Sequence, residues 1–181
     1  MGSLCATPCS SSFGIRTKSR VWNQPPAILA PVDPDHADES VVASSRDTLY
    51  CAASLAARLS GELHVINTFI PAAFAKIVAA GQPDPTREYS DTLQLENSYK
   101  CWEMEQLVAT YGVARDHIHI EMGAPSDCLL RAARRYHIDV LVMGASSLGR
   151  SQRTIVGRTA SGPLEALPCD VLIVNQEACL L

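Results

Sequence analysis

Residues 123–144 read GAPSDCLLRAARRYHIDVLVMG, and this stretch carries one complete unit of the fold. Pro125 stands where the first residue of a helix would be; its fixed φ suits that turn and its missing N–H costs nothing there. Leu129, Ala132, Ala133 and Tyr136 then fall on one helical face. Val140 to Met143 follows as an unbroken apolar run, with the length and β-branched content of a strand buried on both sides. A helix leading into a doubly buried strand is half of a parallel crossover. Arg131, Arg134 and Arg135 lie mostly off the apolar stripe, and Asp127 with Arg131 at i, i+4 reads as an ordinary solvated pair.

Working outward, Ala27 to Val32, Leu63 to Ile66 and Val171 to Val174 are runs of the same kind. His117-Ile118-His119-Ile120-Glu121 alternates instead, which suits an edge strand with one wetter face. With no third ligand in view, its two histidines are read as exposed-face residues, and no metal is expected. Val42, Leu49, Ala52, Ala56 and Leu59 share a helical face that stops at Gly61, a C′ candidate. Met104, Leu107, Val108 and Tyr111 form a second such face ending at Gly112, with Ser90 as a candidate N-cap upstream. Pro71 to Pro85 reads as a surface excursion, and Gly162-Pro163 should keep the last helix short. The alternation of strands and helices predicts an α/β domain, an open doubly wound parallel sheet with helices on both faces and right-handed crossovers.

The chain of 181 residues, 47% hydrophobic, can bury one sizeable core but not two α/β domains. Its net charge of −4 provides no basic field for a polyanion, so no nucleic acid partner is expected. No apolar run approaches the ~20 residues that cross a bilayer, so no membrane role is expected either. Seven irregularly spaced cysteines, without a CxxC, fit reduced thiols in the cytoplasm. Residues 1–26, with Arg16, Lys18 and Arg20 and no acidic residue, read as a disordered or linker-like extension; the domain spans 27–176, followed by a tail at 177–181.

In a doubly wound sheet, ligands gather beyond the carboxyl ends of the strands. Here those ends are Pro31-Val32-Asp33 and Met143-Gly144, the latter followed by a loop rich in Gly, Ser and Arg that reaches Arg158. Freed N–H groups, the hydroxyls of Ser146, Ser147 and Ser151, and Arg150, Arg153 and Arg158 can wrap an anion. The same residues equally suit a solvated loop. Neither a Walker A loop nor GxGxxG occurs, and no Ser/His/Asp or Cys/His set has a catalytic context, so no catalytic residue is expected.

Glu121 through Val174, taken with APVDPDHADES at 30–40 and ELHVINTF at 62–69, resembles the universal stress protein family, most closely the second domain of its tandem-domain E type. The resemblance covers nearly everything after residue 26 and implies five parallel strands in the order 3-2-1-4-5. In nucleotide-binding members the loop after strand four follows Gly, two residues, Gly, nine residues, Gly, then Ser or Thr. The matching positions here are Gly144, Ser147, Gly157 and Arg158, so two of the four have changed, and Thr159 stands one step beyond. The resemblance implies ATP or AMP as a weakly held ligand, with Asp33 and Val65 flanking adenine and ribose and Pro31, Val32, Met143 and Gly144 lining the pocket. It also implies a homodimer through the last strand, Val171, Leu172, Ile173 and Val174. Two other readings remain open: a nucleotide-hydrolysing or nucleotidyl-transferring enzyme using the Gly144 to Arg158 loop, and an interaction domain that holds no ligand.

Overall fold

Each apolar run becomes a strand of one sheet in the computed structural model, which describes residues 14–16, 24–34, 38–71, 87–144 and 166–174. The elements are β1 (Gly14–Arg16), β2 (Ala27–Pro31), α1 (Glu39–Leu59), β3 (Glu62–Phe69), α2 (Arg87–Val108), a 3-10 turn (Arg115–His117), β4 (Ile118–Met122), α3 (Pro125–Arg135), β5 (Val140–Gly144) and β6 (Asp170–Val174). Their order across the sheet is β1-β6-β5-β2-β3-β4. Strands β2 to β6 are mutually parallel. Counted from β2, they have the expected order 3-2-1-4-5.

Two apolar layers sandwich this sheet, as alternating strand residues require. On one face Ile28, Ala30, Val65, Val140 and Val142 pack with Leu49, Ala52 and Ala56 of α1 and Met104 and Val108 of α2. On the other, Leu29, Ile66, Leu141, Met143 and Val171 pack with Leu129, Ala132 and Ala133 of α3. The short helix expected before β6 lies outside the described residues.

Several boundaries differ from the sequence reading. Asp38 caps α1, its carboxylate accepting the Ser40 N–H at 2.9 Å. Gly61 sits at C′ as expected, but Ser60 adopts the left-handed conformation. Gly61 is needed for space instead, because a Cβ there would collide with the Pro26 carbonyl oxygen. The second helix begins at Arg87, so Ser90 falls inside it rather than at its cap; Arg87 and Glu88 are good helix formers and carry it upstream. His117 closes the 3-10 turn ahead of β4 instead of opening the strand.

The largest departure is at the sheet edge. Residues 14–16, expected within a linker-like extension, pair antiparallel with β6 in the register Gly14↔Ile173, Ile15↔Leu172, Arg16↔Val171. The last strand is therefore an inner strand, and the backbone edge expected to meet a second copy is covered by the chain itself. An open edge of unpaired N–H and C=O groups invites such cover.

Candidate functional site

The sheet opens at one place. The ladder between β2 and β5 holds only Ile28↔Val140 and Leu29↔Leu141. On either side pairing runs further, to Pro31↔Ile66 between β2 and β3 and to Gly144↔Val174 between β5 and β6. Strands β2 and β5 thus part beyond Leu29 and Leu141, with α1 leaving on one face and α3 having arrived on the other. That is the topological switch point of a doubly wound sheet, where its ligand crevice forms.

Asp33 sits at the lip of this crevice. Its N–H donates to Ser45 Oγ of α1 at 3.0 Å, which anchors the turn after β2. Val32 is buried and donates its N–H to the Ile66 carbonyl at 2.9 Å. Pro31 and Asp33 are half-buried, whereas Met143 and Gly144 are buried at the end of β5. Val65, expected beside the ligand, is fully buried under α1 and α2. Two residues farther along that strand, Asn67 stands beside Asp33. Its Nδ2 donates to the Val32 carbonyl at 2.9 Å and reaches Asp33 Oδ1 at 3.4 Å. Its Oδ1 is buried and has no hydrogen-bond donor among the described residues. The signal available in the sequence was a lone amide following a run of core residues. Ser147, Gly157, Arg158 and Thr159 lie outside the described residues.

A second polar cluster lies at the opposite, amino-terminal ends of β3 and β4. The histidines of β4 and its leading turn are not on an open face: His119 is only 7% exposed and stacks on Tyr136 with ring centroids 3.8 Å apart. His64 of β3 meets both, its Nδ1 lying 3.1 Å from His119 Nε2 and its ring stacking on His117 at 4.0 Å. Burial first, then neighbouring imidazoles, lowers the pKa of both His64 and His119, the latter to about 4. Both rings are therefore neutral at pH 7. The sequence reading missed this grouping because the third histidine belongs to another strand.

These features define a doubly wound α/β domain of the kind that binds ligands at a switch point. The sequence profile of the Universal stress protein family matches residues 27–175. The chain belongs to the universal stress protein family. A Staphylococcus aureus (strain USA300) protein provisionally named a universal stress protein is 26% identical over 153 residues, covering 83% of this chain and 84% of its own. Among solved structures, universal stress protein UspA from Lactobacillus plantarum superposes with a TM-score of 0.56 at 22% identity, over 82% of this chain and 97% of that one. A functionally unknown protein from Pseudomonas aeruginosa PAO1 superposes with a TM-score of 0.55 at 21% identity, over 90% of this chain. The chain spans about half the length of that Pseudomonas protein, 52%. No helix among the described residues is long and apolar enough to cross a membrane.

Proposed function

We propose that this domain is a cytoplasmic stress-response binding module that takes an adenine nucleotide at the crevice between β2 and β5 and acts as a homodimer, without catalysing a reaction of its own. The observation that carries the ligand reading is Asn67 Oδ1, a buried acceptor with no donor among the described residues. A buried polar atom left unpaired costs about 1–3 kcal/mol, so such a position is fitted to a ligand that donates. The exocyclic amine of adenine donates, and the Asp33 carboxylate, whose Oδ1 lies 3.4 Å from Asn67 Nδ2, accepts from ribose hydroxyls.

Calorimetry with ATP and AMP tests the ligand. The changed positions Ser147 and Arg158 weaken the phosphate grip, so the expected dissociation constant lies between high micromolar and millimolar. Asp33→Ala should weaken it by roughly tenfold, the worth of one hydrogen bond to a charged group, while leaving the fold intact. Wild-type protein that takes up neither nucleotide at millimolar concentration, about −4 kcal/mol, would overturn the reading.

The homodimer forms across the edge where β1 covers β6. Leu172 and Ile173 of β6 are half-buried, one against each core layer, and offer that contact its apolar surface. A lysine at Ile173 would have to lose its hydration to enter that contact. Light scattering at micromolar concentration should report a dimer for wild type and a monomer for Ile173→Lys. A monomeric wild type rejects the dimer.

A further inference from the structure

The amino-terminal ends of β3 and β4 bring together a donor set that the nucleotide crevice does not use. Strand alternation puts Glu62 and His64 on one face of β3. The parallel register Val65↔Ile118 then lays the residues before β4 alongside, which places His117 against His64. One ligand atom from each of Glu62, His64 and His117 lies within 4.8 Å of the other two. We propose that these three residues bind a divalent transition-metal ion of the zinc class, with His119 acting as the positioning residue for His64.

The chemistry of the set fits such an ion. Imidazole and carboxylate are ordinary zinc ligands, and two histidines with one acidic residue leave a coordination position for water. His64 Nε2 already faces the Glu62 carboxylate at 3.9 Å. Its other nitrogen meets His119 Nε2 at 3.1 Å. A metal on His64 Nε2 requires the proton on Nδ1, which then donates to His119 Nε2. This is the outer contact that orients a ligating imidazole and fixes its tautomer. His119 is held in turn by its stack on Tyr136.

Binding asks for a small closure. Tetrahedral bonds of about 2.0–2.1 Å bring ligand atoms to roughly 3.3 Å from one another, nearer than the present spread. The groups that must move are the less buried ones: Glu62 is exposed and His117 is half-buried in a three-residue turn. His117 lies stacked on His64 with 20° between the rings, so its ring must turn out of the stack to aim a nitrogen at the ion. His64, fixed by His119, is the static corner of the site.

The test uses the full chain, stripped with a chelator and titrated with zinc chloride in a non-coordinating buffer under calorimetry, with X-ray absorption reading the ligand atoms. One zinc ion per chain with a nitrogen and oxygen shell is expected at micromolar affinity. Glu62→Gln, an exposed and nearly isosteric change that spares the fold, and His117→Asn should each weaken binding at least tenfold. His119→Gln should weaken it by about 10–100-fold while keeping the same shell, since it removes only the outer contact. His137→Asn, outside the cluster, should change nothing. No uptake at high-micromolar zinc, a sulfur-containing shell from the chain's thiols, or unchanged affinity in Glu62→Gln would each overturn the proposal.

Discussion

Gly61→Val is expected to destabilise the folded protein by about 3 kcal/mol, at the upper end of what overpacking a filled site costs. A Cβ at Gly61 would fall inside contact distance of the Pro26 carbonyl oxygen, with Pro26 Cδ and Cγ both at 3.2 Å. That oxygen has no room to retreat, because it accepts the Glu62 N–H at 2.9 Å and so starts the pairing of β2 with β3. Relief must come from shifting backbone at the head of the central strand. Valine adds two methyl groups to the collision. Urea unfolding measures the loss, and Gly112→Ala is the comparison. Gly112 has a φ of 66° with open space around it, so its substitution brings conformational strain alone, about 1 kcal/mol. Should Gly61→Val lose no more than Gly112→Ala, the close approach to Pro26 is not what the position requires.

Acidification is expected to remove on the order of 3 kcal/mol through His119 between pH 7 and pH 4. The folded protein holds this imidazole at about 4, below the usual 6.5, first because it is buried and then because His64 and His117 stand beside it. Above pH 6.5 the ring is neutral in both the folded and the unfolded chain, and it contributes no pH dependence. As pH falls below 6.5 the unfolded chain takes up a proton that the folded chain refuses, so stability declines. The decline from this group levels off once pH passes below about 4, where the folded ring protonates too. His64 acts in the same direction. Urea midpoints at pH 7, 5 and 4 in the presence of chelator should fall more steeply for wild type than for His119→Gln. Equal slopes in the two proteins would show that the buried imidazole does not govern the acid response.

The strands were legible because each is short, apolar and rich in branched residues, and two buried faces leave no other use for such a run. The stripe of α3 was legible for the same kind of reason, and Leu129, Ala132 and Ala133 are buried as its period requires. The stripe of α1 was read less well. Ser44, Ser45 and Thr48 are buried on it, which polarity argues against. Two of these hydroxyls have partners close by: Thr48 Oγ1 donates to the Ser44 carbonyl at 2.7 Å, and Ser45 Oγ accepts from the Asp33 N–H. Val41 is buried while Val42 is half-buried, so the start of the stripe differs.

The candidate sites divide in the same way. Asp33 and Gly144 could be placed at strand ends from the run lengths alone, because a doubly buried strand stops where polar residues begin. Asn67 could not be placed beside Asp33, since their contact depends on how far β2 and β3 remain paired after β5 has separated. The cover of β6 by residues 14–16 was equally hidden, for three residues of extended backbone need no apolar pattern to complete a ladder.

By itself the sequence determined the element types, their order, the buried face of most of them and the family. Periodicity records which side of an element meets the core, and that information is local. The tertiary structure alone decided which side chains from distant strands become neighbours. His64 and His119 are 55 positions apart in the chain and 3.1 Å apart in space. Their meeting follows from a parallel register that the crossover through α2 imposes, and no residue in either segment announces it. Face is written in the chain residue by residue, whereas adjacency appears only when the backbone ladders close.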